Sequence, residues 1–339
     1  MSILINQNTK VIVQGITGKE GQSATRAMLE YGTNVVAGVR PGKAGEKVEG
    51  VPVFDTVKEA LTAAAGRDAP PGRLSDVKNA IAGDGPSRDA IAGGRPTRDA
   101  PAGHQHEGVV AAIYVPPFAA KAAMLEAIEA GIPLINIIAE RVPIQDTAYC
   151  LAAAKEKGIR IIGPSSLGFI NPGVGRVGVV GGPKNQADEV FQPGNIGVIS
   201  RSGGMTNEVS WQIRKAGLGQ SAAAHVGGDL LMGTTYADLL RLFEKDEQTR
   251  AVVIFGEHGG SYEFEIIDLI NNKEYTKPLA IYIGGKFANL LPEGMNIGHA
   301  GAIVGRGQGA EEKARALSEV GVMVAERYEE LAELVRPFD

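Results

Sequence analysis

Short apolar runs alternate with longer amphipathic stretches along most of this chain. Val11-Ile12-Val13 predicts a buried strand, and the spacing after it predicts a helix from Gln22 to about Tyr31. The runs Asn34–Val39, Val51–Phe54, Ala111–Val115 and Leu134–Ile138 predict further strands. Between the last two, Ala119–Ala130 puts Met124, Leu125 and Ile128 on one helical face. The alternation resumes with a predicted helix over Asp146–Lys157. Predicted strands follow at Ile159–Ile162, Ile196–Ile199, Ala251–Phe255, Leu279–Ile283 and Val322–Ala325. Strands that alternate with helices form parallel sheets covered on both faces. With 339 residues the chain is long enough for two such units. The pattern therefore predicts an α/β protein, with a Rossmann-like unit over residues 1–147 and a second doubly wound unit over residues 148–339.

The alternation fails between Gly66 and Glu107. Lys78-Asn79-Ala80-Ile81-Ala82-Gly83 returns ten residues later as Arg88-Asp89-Ala90-Ile91-Ala92-Gly93, and then as Arg98-Asp99-Ala100-Pro101-Ala102-Gly103. A segment with so few large apolar side chains cannot offset the entropy of ordering it. Residues 66–107 are expected to be a disordered surface insertion. His104 and His106 lie at its end without further ligand residues nearby, so no metal site is expected.

Composition narrows the class. A net charge of −5 argues against nucleic-acid binding. Cys150, the single cysteine, excludes an intrachain disulfide framework and fits a reducing compartment. No apolar run is long enough to span a membrane, and the polar opening around Asn6-Gln7-Asn8 lacks a leader pattern. A cytoplasmic protein without membrane contact is the expectation.

Candidate chemistry sits in the turns. The first strand runs into Gln14-Gly15-Ile16-Thr17-Gly18-Lys19-Glu20-Gly21, a glycine turn opening a helix whose free N–H groups suit a phosphate. Arg40 and Lys43 follow the second strand, and that strand has no terminal acid to hold the ribose of NAD. Two bases suit a ligand with an extra phosphate, or Lys43 is simply solvated. Ser202 is a good helix N-cap, and Gly203 and Gly204 expose backbone N–H groups to an anion. His299 stands in Gly298-His299-Ala300-Gly301-Ala302-Ile303, uncrowded and able to act as a nucleophile.

Gly298-His299-Ala300-Gly301-Ala302-Ile303 resembles the phosphohistidine loop of the alpha subunit of succinate–CoA ligase, and the similarity extends over most of the chain outside the insertion. The resemblance implies a CoA-binding domain followed by a flavodoxin-like ligase domain. It implies that His299 is transiently phosphorylated and that Glu257 hydrogen-bonds its ring. It assigns coenzyme A to Thr17, Gly18, Lys19, Glu20, Lys43, Ile138, Ala139 and Glu140, although Ala139 lacks the family's threonine hydroxyl. Ser202 and Gly203 match the phosphate-binding helix start.

The chain departs from the family around the acyl group. Ser165-Ser166-Leu167 replaces Asn-Cys-Pro, Asn207 stands in place of a substrate-contacting tyrosine, and His258 replaces an isoleucine. Ser165, Ser166 and Asn207 are thus the candidate substrate residues. By family default the acid is succinate, with malate, citrate or sulfoacetate as alternatives. The chain has no Walker lysine motif, so the resemblance puts ATP or GTP, with Mg2+, on an ATP-grasp beta subunit. A catalytically silent CoA-binding regulator and an NAD-dependent dehydrogenase are the rival readings. The intact Glu257 and His299 oppose the first, and the missing ribose acid opposes the second.

Overall fold

The computed structural model describes residues 3–66, 108–285, 299 and 309–339. The repeat, including His104 and His106, and the residues flanking His299 lie outside the described residues.

The first sheet is built from β1 (Lys10–Gln14), β2 (Asn34–Val39), β3 (Lys47–Val48), β4 (Val51–Phe54), β5 (Val109–Ile113), β6 (Leu134–Ile137) and β7 (Arg160–Ile162). Their order across the sheet is β3-β4-β2-β1-β5-β6-β7. All neighbours are parallel except the small β3–β4 hairpin. Helices α1 (Lys19–Glu30), α2 (Val57–Gly66), α3 (Pro117–Glu129) and α4 (Ile144–Glu156) connect them. Period-two alternation decides the packing. Val11 and Val13 enter one core, while Ile12 between them enters the core under α2, α3 and α4.

The second sheet runs β14-β13-β12-β10-β11-β8-β9. Here β8 is Gly168–Asn171, β9 Gly175–Gly178, β10 Pro193–Ser200 and β11 Gln220–His225. The remaining strands are β12 (Ala251–Glu257), β13 (Leu279–Gly284) and β14 (Met323–Val324). The helices are α5 (Lys184–Val190), α6 (Gly203–Lys215), α7 (Tyr236–Lys245), α8 (Phe264–Asn271), α9 (Ala310–Glu319) and α10 (Leu331–Val335). Ile199, Val252 and Ile254 face one side, and Val198, Ala251 and Val253 the other. The first of these faces shares one apolar core with Val11 and Val13 of the first sheet.

One expectation needs correcting. The strand near Ile162 was to open the second unit, with a boundary at 147/148. That boundary falls inside α4, and β7 pairs in parallel with β6, Leu134 against Arg160 and Asn136 against Ile162. The first sheet therefore extends to Ile162: Ile161 packs into the core that holds Cys150 and Ala154 of α4, while Ile162 enters the core shared with the second sheet.

Polar bonds also join the two sheets. Arg176 of β9 is fully buried and donates to the Ala27 carbonyl near the end of α1, as well as to Val180 and Gly182 carbonyls. The turn after β7 is held from both sides, with Gly163 N–H on the Val226 carbonyl and Gly233 N–H on the Gly163 carbonyl. These bonds fix the ligand-facing edges of the two sheets against each other. No described helix is long and apolar enough to cross a membrane.

Candidate active site

In doubly wound sheets ligands collect beyond the strand C-termini, where successive connections leave in opposite directions. The first sheet has this switch beside β1, since β2 lies on one side of it and β5 on the other. The turn after β1 carries Thr17 and Gly18 and runs into Lys19 and Glu20 at the start of α1, and the last three of these are exposed. Gly15 makes the turn possible. Its φ is +80°, and a Cβ there would stand 2.4 Å from the Tyr114 carbonyl oxygen. Lys43 follows β2 at the same edge. Its Nζ pairs with Glu46 at 2.8 Å on the surface, and its backbone N–H donates to Asp55. Ile138, Ala139 and exposed Glu140 follow β6, again at this edge. All eight residues expected to face coenzyme A therefore follow the C-terminal ends of β1, β2 and β6.

The second sheet switches beside β10, with β11 on one side and β12 on the other. Ser200 of β10 aligns with Phe255 of β12, so the start of α6 and the end of β12 are neighbours. Ser202 caps α6, its Oγ accepting the Met205 N–H at 3.4 Å, while its backbone is tied to the Ser200 hydroxyl. The first N–H groups of a helix have no intrahelical partner and carry its positive dipole end. Gly203 lies in that position and is buried.

Glu257 ends β12 and is largely buried. Its Oε1 lies 2.6 Å from His299 Nδ1. Gly228 supports the ring's other side, where a Cβ would meet His299 Cδ2 at 2.6 Å. The hydrogen bond that His299 donates to Glu257 pushes the His299 pKa up, against the opposing effect of burial. Burial pushes Glu257 upward, but the His299 hydrogen bond and charge outweigh it and leave the carboxyl below its usual range. Glu140, from the first sheet's edge, and Asp229 also interact electrostatically with His299. The two ligand edges thus meet at the histidine.

Arg201 was not singled out by the sequence. It is fully buried, lies over the Tyr262 ring at 5.7 Å, and donates to the Asp229 carbonyl at 3.2 Å. Its Nη1 has no hydrogen-bond partner among the described residues. Its charge acts on both Glu257 and His299. A guanidinium buried without a carboxylate is costly unless an anion completes it. The signal in the sequence was an arginine between the two serines of the helix start, which does not reveal burial.

The three residues expected to touch substrate divide. Ser166 is fully buried, donates to the His225 carbonyl at 2.5 Å and accepts the Gly168 N–H at 3.0 Å, so its hydroxyl serves the backbone. Asn207 Oδ1 accepts the Gly181 N–H at 2.9 Å, which ties the side chain to the turn after β9. Ser165 is buried with a φ of +59°, its N–H on the Ala139 carbonyl, directly beside the edge expected to face coenzyme A. His258 is buried, and its ring packs on Gly285 after β13.

Comparison with known proteins agrees with this architecture. The CoA binding domain family matches residues 6–69, and the Succinyl-CoA ligase like flavodoxin domain matches residues 193–338. Alpha subunit 2 of the ADP-forming succinate–CoA ligase of Archaeoglobus fulgidus is 40% identical over 99% of each chain. A subunit of the ADP-forming sulfoacetate–CoA ligase of Bilophila wadsworthia is 36% identical, also over 99% of each chain. ATP citrate lyase from Methanothrix soehngenii, solved in complex with citrate and coenzyme A, shares the fold, with a TM-score of 0.81 at 24% identity. The match covers 99% of the present chain and half of the lyase chain. The chain belongs to the family of NDP-forming acid–thiol ligase subunits that includes the alpha subunits of succinate–CoA ligase.

Proposed function

We propose that this chain is the phosphohistidine-bearing alpha subunit of a ligase that joins coenzyme A to a short anionic carboxylic acid at the expense of ATP or GTP. The observation that carries the reading is the 2.6 Å contact between Glu257 and His299 beside an incompletely paired Arg201. With Glu257 holding the Nδ1 proton, neutral His299 presents the Nε2 lone pair. Nε2 attacks the terminal phosphorus of the nucleotide, the bond to the NDP oxygen breaks, and Glu257 stabilises the cationic phosphoimidazole. A carboxylate oxygen then takes the phosphoryl group as an acyl phosphate and returns neutral His299. The thiolate of coenzyme A adds to the acyl carbon, and phosphate leaves. The N-terminus of α6 and the spare Arg201 Nη1 suit the anion carried through these steps.

Thr17, Gly18, Lys19, Glu20, Lys43, Ile138, Ala139 and Glu140 form the edge where coenzyme A would lie, and Glu140 connects that edge to His299. The nucleotide and its Mg2+ belong to a beta subunit with an ATP-grasp fold. A cytoplasmic location fits the lone, buried Cys150. Succinate and sulfoacetate, named for the ligases above, are both short acids with a second anionic group. That class is the substrate proposed here, and Ser165 is the substituted residue best placed to read it.

The complex with its companion subunit should incorporate acid-labile phosphate from labelled ATP, and adding the acid with coenzyme A should discharge it. His299→Asn should abolish labelling. Full labelling of His299→Asn would transfer the role to another residue and sink the reading. A panel of dicarboxylates and sulfonates assayed by kcat/KM then identifies the acid.

A further inference from the structure

Lys313 and Glu263 form an ion pair at 2.6 Å with both side chains fully buried. Lys313 is on α9, which follows the segment bearing His299, and Glu263 caps α8 after the turn that leaves β12. An ammonium has three hydrogens, and each has a partner here. Lys313 Nζ donates to Glu263 Oε2, to the Glu257 carbonyl at 2.7 Å and to the Gly259 carbonyl at 2.6 Å. The other oxygen of the pair, Glu263 Oε1, accepts the Glu257 N–H at 3.1 Å. The pair thus grips both backbone polar groups of the one residue whose carboxylate meets His299.

A buried ion pair is seldom a source of stability, because desolvation offsets the attraction. Apolar side chains could fill this volume, but they could not hold a strand-terminal N–H and C=O at once. We propose that Lys313 and Glu263 are positioning residues that fix Glu257, and through it the ring orientation and tautomer of His299. The Glu257 backbone at the end of β12 would otherwise lose part of its anchorage where the chain turns into residues 258–263. Glu257 would then hold the Nδ1 proton less firmly, and either ring nitrogen could act as nucleophile.

This inference rests on the phosphohistidine reading, so its test uses a donor independent of nucleotide and partner. Phosphoramidate phosphorylates imidazole directly: ring nitrogen attacks phosphorus, ammonia leaves, and the N–P bond forms. Phosphorus NMR distinguishes the Nε2 from the Nδ1 product. A wild-type chain labelled by phosphoramidate whose complex with the companion subunit is not labelled by ATP would sink the ligase reading alone. Among the described residues, the charged and titratable groups acting on His299 besides Glu257 are Arg201, Glu140, Asp229 and His225, and they are left intact.

The full-length variants are Lys313→Met and Glu263→Gln, the second keeping an oxygen for the Glu257 N–H should the first fail to fold. Coenzyme A affinity, set at the other sheet, serves as the control for folding. In variants whose coenzyme A affinity stays within about twofold of wild type, Nε2 labelling should slow roughly tenfold or more. The Nδ1 isomer should appear, and the pH profile of labelling should shift toward that of free imidazole. A folded variant with wild-type rate, pure Nε2 product and an unchanged pH profile overturns the proposal.

Discussion

His225 Nδ1 accepts the backbone N–H of Leu167 at 2.8 Å. That bond makes Nδ1 the unprotonated nitrogen, so Nε2 carries the hydrogen and donates to the Arg201 carbonyl at 2.8 Å. One buried, neutral ring therefore links the turn after β7 to the residue before the Ser202 cap of α6. A proline at position 167, as the family resemblance would have it, has no N–H to give. Leu167→Pro should leave a buried acceptor unpaired and cost about 1–3 kcal/mol of stability. Urea unfolding measures this, and an unchanged midpoint would show that the turn relaxes to satisfy the ring.

The same ring predicts an acid-sensitive stability. Burial pulls His225 down to about 4. An unfolded histidine takes up its proton near 6.5, so below that value the unfolded chain binds the extra proton first. His225 should therefore withdraw stability as pH falls from about 6.5, reaching a plateau of roughly 3 kcal/mol once the folded form also protonates. Comparing unfolding free energies of wild type and His225→Gln from pH 7 to pH 4 isolates this contribution. Parallel curves would mean that His225 titrates normally.

Glu257→Gln should slow His299 phosphorylation roughly 10–100-fold, the rate equivalent of losing a charge-assisted hydrogen bond of about 1.5–3 kcal/mol. Only the neutral ring attacks. Because Glu257 raises the His299 pKa, the wild-type rate should rise with pH along a limb centred above the ordinary value of about 6.5. In Glu257→Gln the limb should move down. The pair's contribution to folding has the complementary window. It is fully present from about 4.3 to 6.5, falls as pH rises through the raised His299 value, and falls as pH drops through the lowered Glu257 value. Rates measured from pH 5 to pH 9 check the limb, and coincident profiles would remove Glu257 from this role.

Lys43→Glu should raise the KM for coenzyme A roughly tenfold, about 1.4 kcal/mol, without slowing His299 phosphorylation. It reverses a charge at the edge proposed for coenzyme A and places a second carboxylate beside Glu46, which now accepts the Lys43 ion pair. Both groups are exposed, so the effect should shrink as salt is added. A KM that does not move, at low or high salt, would make Lys43 an ordinary surface residue.

The sequence by itself determined the alternation of strand and helix, and with it the α/β class. Runs such as Val11-Ile12-Val13 and Ala251–Phe255 are too apolar to lie anywhere but inside covered sheets. Local chemistry likewise marked the turns: glycines after β1, a serine cap before α6, a histidine between small residues. Such signals are local, because a turn or cap is decided by a few neighbouring residues. Tertiary structure decided everything that joins distant segments. It gave β7 to the first sheet through pairing with β6, which no property of Arg160–Ile162 specifies. It tied Ser166 and Asn207 to backbone groups distant in sequence, bonds that their own neighbours along the chain do not announce. It buried Arg201, Glu263 and Lys313, whose charges mark them in sequence as surface residues. Burial and partner choice depend on what the rest of the chain packs around a side chain, and only the assembled fold supplies that environment.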